Sequence, residues 1–585
     1  MVREVTQNKE REMIGFSHLI HRLAVTVLAI SFLVVLVTAC ASPDGQIVVT
    51  QEVERIVTRN VEVVVTQEVE RLITPTPEPE ITDGGTLIMG TDLRAEYPLN
   101  PILASNRPAL WAFDALTEID ADTLLPAPML AESWTVSDDG LVYSFKLRQD
   151  VEWHDGERFD ADDVMFTWDR WLNDPNSQWA SDFVYPVGED SVPATITKID
   201  DYTVEVTLPV PSSTFLYDIC CWAGIVPEHL LSDFDTMADA TEFNENPVGT
   251  GVLVFEELQS QDFVRFNFKK DYWRGQPHLD GFIWKVIPDA DAEVTALANG
   301  EIDVVKNVFT TDMAARIAGI SGVTIYDVVG NFTYTFFFNP GTFEPFTDPL
   351  VREAMAYALD KPTIIRTVIG PNSPPAEQML PPQHWGHNPD VDVIGYDPSM
   401  ARDLLAEAGW QDTDGDGIVD KDGVPFSFEI MTETAIPELS EVIQSYLREV
   451  GIGVTLNIVE RAVRIELQNS GEWQAYVGFD GAGVPFTAIK GNWTSGNWTN
   501  YSNEEVDRLV QVADTTTNLT EQISAVQEIE RILTHEVAAI WLFHYTTRIA
   551  VSDNIGGLLI PGSTADLNNT GVFWHLEDLY MKEPK

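Results

Sequence analysis

Cysteine is nearly missing from this chain: three in 585 residues, too few for a disulfide framework to hold the fold. Two of them, Cys220 and Cys221, are adjacent beside Trp222. A bond between neighbours would be strained, so they read as buried thiols. Basic residues are scarce as well. Lys plus Arg number 35 against 92 Asp plus Glu, a formal net charge of −57, and a field of that sign repels phosphate backbones, so no nucleic-acid partner is expected. Catalytic signatures are lacking too. There is no Gly-x-Ser-x-Gly and no phosphate loop, and after His535-Glu536 stands Ala539 where a zinc-binding helix needs its second His. The chain is therefore not expected to be an enzyme, and no cofactor is required.

Apolar residues are abundant in one place. Leu23 to Thr38 form a run of sixteen, preceded by Lys9, Arg11, His21 and Arg22, the order of charged and apolar regions in a secretory signal. Its end, Leu36-Val37-Thr38-Ala39-Cys40, resembles the lipobox of bacterial lipoproteins. That resemblance implies removal of residues 1–39 as a signal peptide and lipidation of Cys40 as the first mature residue. An uncleaved membrane-spanning helix is the other reading of such a run. Either holds the body at the extracytoplasmic face of the cell membrane.

Residues 40–83 then form a spacer. Val48 to Thr58 recur almost unchanged as Val64 to Thr74; the apolar spacing suits a helix, the Val and Thr content a strand, and two short copies cannot bury a core. A small oligomeric stalk and a solvated spacer both fit. Thr74-Pro75-Thr76-Pro77-Glu78-Pro79-Glu80 is a stiff polyproline II linker.

From Gly85 onward strands and helices alternate, the pattern of a mixed α/β body, and the length calls for several lobes. Thr86 to Gly90 is a buried strand, Gly140 to Leu147 an alternating one. Ala161 to Leu172 is a helix capped by Asp160, and a second helix starts at Asp348 with Pro349 in its first turn.

These segments come in a telling order. Leu130-Ala131-Glu132-Ser133-Trp134, Val151-Glu152-Trp153-His154-Asp155-Gly156 and Phe159 to Val164 are followed by Pro247-Val248-Gly249-Thr250-Gly251, Asp271 to Gly275 and Leu297 to Asp303. Then come Val351 to Lys361, Tyr396-Asp397-Pro398 and Leu404 to Trp410. Together they resemble the bacterial extracellular solute-binding proteins of family 5, the peptide and nickel receptors of ABC importers. The resemblance implies an α/β, two-lobed periplasmic-binding-protein-like fold (class II) with an extra domain inserted in lobe one. Lobe one would comprise 84–117, 243–331 and 548–585, the insert 118–242, and lobe two 332–547. It also implies capture of a small solute, an oligopeptide first and an oligosaccharide second, for delivery to an ABC permease and its ATPase. A solute sensor without transport is the rival.

Candidate site residues follow. Asp480, in Gly478-Phe479-Asp480-Gly481, offers a carboxylate to an ammonium group, although the Trp-x-x-Asp segment of peptide-binding members is not clear here. Trp493 and Trp498, each between an Asn and a Thr, suit an apolar ligand face with polar edges, and Trp385 between His384 and His387 is similar. Packing of these rings on their own lobe is the alternative. Asn331, Tyr334 and His544 lie near the proposed lobe crossovers. Finally, Asp412, Asp414, Asp416, Ile418 and Asp420 follow the oxygen spacing of a calcium loop around Gly415 and Gly417, without a Glu at its last position. A structural calcium ion and an acidic surface turn are both open.

Overall fold

The computed structural model describes residues 38–41, 47–50, 71–73, 81, 83–92, 98–104, 111–188, 190–219, 223–308, 310–370, 372–434, 436–481, 485–558 and 575–583. The chain divides into two units, Met1–Glu80 and Ile81–Lys585. In the first, Thr38–Ala41, Ile47–Thr50 and Arg71–Ile73 make a three-stranded antiparallel sheet. The signal segment before Thr38, the Cys40 side chain, most of the repeat, and Cys220, Cys221 and Trp222 lie outside the described residues. No helix among the described residues is long and apolar enough to cross a membrane.

A ten-stranded mixed sheet runs through the second unit. Its order is Leu253–Gln259, Phe263–Phe268, Gly281–Val286, Thr86–Thr91, Val304–Val305, Ala539–Ser552, Val323–Phe338, Ala475–Gly481, Ser427–Glu433, Gly453–Val459. Two strands in the middle are far longer than the rest, at 16 and 14 residues. Their first pairing, Val323 to Val329 against Ser552 to Thr546, adjoins the strands of lobe one, and their second, Thr333 to Phe337 against His544 to Ala539, adjoins lobe two. Between the two pairings the register shifts at Val329/Thr333 and again at Tyr334/Thr335. Such bulges bend and twist a ladder locally. Ala539–Ser552 is buried along almost its whole length, which is why it reads as an apolar run rather than an alternating one.

Lobe one shares one hydrophobic cluster with the segment inserted in it: Leu87, Phe266, Phe282 and Trp284 of the sheet join Phe145, Trp168, Trp171 and Phe215. The inserted segment adds its own four-stranded antiparallel sheet, Thr195–Asp200, Thr203–Thr207, Val142–Leu147 and Ala131–Val136. Lobe two packs separate clusters on the two faces of its sheet. Phe336 and Phe338 face Val351, Met355 and Ile443, while Phe337 faces Trp493, Ile529 and Trp541, the alternation that a strand imposes on successive side chains.

Local chemistry sets the elements. Asp160 caps Ala161–Asn173 in a reciprocal box with Asp163, and Asp348 caps Pro349–Tyr357 by accepting from Leu350 N–H. The segment Val151 to Gly156 finds its partner in Pro247 to Gly251. His154 Nδ1 accepts from Gly249 N–H at 3.2 Å, so its other nitrogen carries the proton and donates to the Gly251 carbonyl at 2.8 Å. Both glycines are required by close approach: a Cβ would sit 1.7 Å from the Ala112 carbonyl oxygen at Gly249 and 2.4 Å from that of Trp111 at Gly251.

Candidate functional site

The region around the register shifts carries an aromatic group on one face of the sheet. Tyr334 lies 4.2 Å from Phe479, 4.7 Å from Phe543 and 6.3 Å from Tyr545, ring centre to ring centre, and Phe332 lies 5.9 Å from Phe479. Phe479 is 46 % exposed although it sits in a strand. An exposed aromatic ring backed by other rings is surface that a ligand can cover. Tyr334 itself is buried, and burial raises its phenol above the usual range.

The other sequence-derived residues fall elsewhere. Opposite Tyr334, on the second face, His544 Nδ1 meets the Thr333 hydroxyl at 2.9 Å, and burial pushes its imidazole down to about 3, so it is neutral. Trp493 has no exposed surface; its ring stacks 5.9 Å from Phe337 and lies 6.1 Å from Trp541. Trp498 donates its indole N–H to Asn492 Oδ1 at 2.8 Å and packs 4.9 Å from Phe337. Trp385 packs against the same cluster, 4.9 Å from His384. Of the two readings of the Trp-Asn loop, these contacts are those of packing on its own lobe: Trp493 lies in the lobe two core on the Phe337 side, and the half-buried Trp498 and Trp385 pack against that core. Asn331 and Asp480 stand on the backbone beside the first register shift, Asp480 paired with Thr333; their side chains lie outside the described residues.

Lobe two also touches the inserted segment. Ser213 N–H donates to the Asp514 carbonyl at 2.7 Å, and beside this contact lies a cavity of about 290 Å³ between Trp134, Tyr143 and Leu216 on one side and Thr517, Leu519 and Gln522 on the other. Desolvation there pushes the Asp218 carboxyl up to about 7. Nothing in the local sequence around Ser213 or Asp514 marks this meeting, because 301 positions separate the partners and only the tertiary fold joins them.

In the acidic loop, Asp412, Asp414 and Asp416 bring one carboxylate oxygen each within 4.8 Å of one another, all on exposed side chains. Asp420 does not join them. It accepts instead from Thr413 N–H at 2.9 Å and from the Thr413 hydroxyl at 2.7 Å, while Ile418 N–H donates to Asp416.

Residues 126–502 match the bacterial extracellular solute-binding proteins, family 5 Middle. The oligopeptide-binding protein AppA of Bacillus subtilis is 29 % identical over 524 residues, spanning 84 % of this chain and 92 % of AppA, and the dipeptide-binding protein of Escherichia coli is 26 % identical over 77 % of this chain and 86 % of its own length. The structure of Bacillus subtilis AppA in complex with a nonapeptide superposes with a TM-score of 0.65 at 26 % identity, covering 86 % of this chain and all of that one. The shared sheet, the two lobes and a match over most of the body lead to one conclusion: the chain belongs to family 5 of the bacterial extracellular solute-binding proteins, extracytoplasmic receptors of ABC importers that bind solutes and are not enzymes.

Proposed function

We propose that this chain captures an oligopeptide between its lobes and delivers it to an ABC permease and its ATPase, tethered to the membrane through a lipid on Cys40. The observation that carries the peptide reading is the alignment with an oligopeptide-binding protein over 92 % of that protein's length. The physical basis is a cleft whose ligand touches both lobes only when they are shut, so that it stabilises the closed form by its differential affinity. The lobes proposed from the sequence (84–117, 243–331 and 548–585; insert 118–242; 332–547) place the crossover beside Asn331, Tyr334 and Asp480. On this reading Asp480 receives the peptide ammonium, and Phe479 with Phe332 and Tyr545 offers an apolar face to side chains. The strongly negative chain favours approach of a cationic end. For the loop 412–420 we propose a structural calcium ion held by Asp412, Asp414 and Asp416.

The test is calorimetry of the purified chain with peptides of two to nine residues, alongside small-angle scattering. Binding accompanied by compaction is expected. Peptides that give no heat and leave the scattering curve unchanged, or an oligosaccharide that binds in their place, would overturn the reading.

A further inference from the structure

The contact between the inserted segment and lobe two is built from groups that titrate. Asp218 ends the short helix Phe215–Asp218, and Thr214 donates its hydroxyl to it at 3.2 Å. From the inserted segment Asp182, Tyr143 and Tyr185 act on this place, and from lobe two Lys490 on helix Pro485–Trp493 and Asp514 on helix Glu504–Thr515. Lys490 is ion-paired with Asp514 Oδ2, whereas Asp514 Oδ1 and Ser213 Oγ are buried with no hydrogen-bond partner among the described residues. Among the described residues Lys490 is thus the cation recorded as acting on Asp218, against the charges of Asp182 and Asp514. Tyr143 directs its hydroxyl to the Ser212 carbonyl at 3.1 Å rather than to a carboxylate.

The inserted segment and lobe one share a single hydrophobic cluster, while lobe two has its own. Parting of the lobes would pull Ser213 from Asp514 and open the half-buried Asp218 further to water. We propose that this seam is a proton-linked latch: shutting the cleft shields the half-buried Asp218 beside the Ser213–Asp514 contact, takes up a proton there, and so holds the solute more tightly at mildly acidic pH. The inference rests on the peptide-binding reading above and adds to it a regulation of the same cleft. Desolvation, helped by the charges of Asp182 and Asp514, favours the protonated carboxyl in the shut form, and the Thr214 hydrogen bond and Lys490 oppose it. In the open form Asp218 returns toward the range of an exposed carboxylate. The direction follows: as pH rises from the open-form range toward 7, the shut form loses its advantage.

The experiment measures affinity of the full mature chain for an uncharged-side-chain peptide between pH 5 and 6.5, where both peptide termini keep their charge, in two buffers of different ionisation enthalpy. Affinity is expected to fall by several-fold up to about tenfold per pH unit, the limit for one linked proton, with uptake of a proton on binding. Asp218→Asn, a neutral isostere of the protonated form, is expected to bind with little pH dependence. Lys490→Met is expected to carry the dependence to higher pH. A flat wild-type profile, or Asp218→Asn with the wild-type slope, overturns the latch while leaving peptide binding in place. Absence of binding at every pH sinks the peptide reading instead; scattering of the ligand-free chain at pH 5 and 8 then decides the latch. Compaction on acidification in the wild type, with Asp218→Asn the same at both values, supports it, and identical wild-type curves reject it.

Discussion

Arg274 grips Glu118 with two parallel hydrogen bonds, Nη1 to Oε2 at 2.7 Å and Nη2 to Oε1 at 2.8 Å, across 156 positions of sequence. The same guanidinium lies 3.3 Å from Glu577 through Nε. It thus ties three distant stretches of chain together, at a place where all three side chains are mostly buried. Arg274→Met leaves two carboxylates buried without a cation, and a loss of about 3–5 kcal/mol in urea unfolding is expected. Arg274→Lys is expected to lose much of the same, because an ammonium cannot reproduce the planar fork. Near-wild-type stability of either variant would contradict this account.

Acid lability should come from buried neutral imidazoles. Burial lowers His154 to about 4 and His384 and His544 to about 3, from an ordinary 6.5. Each binds fewer protons folded than unfolded in that interval, so its contribution is full above about pH 6.5 and is lost as pH falls toward those values. Glu293 acts in the other sense. Burial raises it to about 8 from 4.5, so the folded state is penalised increasingly as pH rises through that window. Glu293→Gln is expected to gain about 1–3 kcal/mol at pH 8 and nothing at pH 4. Urea midpoints from pH 4 to 8 check both; a midpoint for Glu293→Gln that tracks wild type throughout rejects the second.

Trp493 is expected to matter for folding and not for recognition. Removing a fully buried indole costs about 3–5 kcal/mol, so Trp493→Ala should shift the denaturation midpoint strongly while the fraction that stays folded binds peptide with unchanged affinity. A large affinity loss at unchanged stability would restore the ring to the binding surface.

Calcium at the acidic loop predicts a melting temperature that rises with added Ca²⁺ and falls on chelation. Asp414→Asn should abolish the response, and Asp420→Asn should leave it, since that carboxylate is engaged by Thr413. An unresponsive wild type would make the loop an acidic turn.

The parts of this fold that were legible in the sequence are the ones whose cause is local. Asp160 and Asp348 announce their helices because a cap acts within three residues. The spacing of His154, Gly249 and Gly251 carries the family resemblance because the imidazole bridges Gly249 N–H and the Gly251 carbonyl while both glycines pass close to the backbone of Trp111 and Ala112. The Asn-flanked tryptophans left two readings open because polar neighbours fit a ligand edge as well as a packed loop, in which Asn492 accepts from the Trp498 indole. Asp420 likewise keeps the calcium-loop spacing, yet a neighbouring hydroxyl takes its oxygens. The pairing of Arg274 with Glu118, the contact of Ser213 with Asp514 and the aromatic face around Phe479 depend on which distant strands become neighbours, and no local pattern encodes that.

Two hydrogen-bonded strands, not one, carry the chain across the middle of the ten-stranded sheet. A single connecting thread could swivel freely, but a paired one resists torsion and yields chiefly to flexing at its irregular rungs. Relative travel of the halves is thereby narrowed toward one arc. Each opening and shutting should retrace the same path, so the surface offered to a membrane partner is reproducible from cycle to cycle.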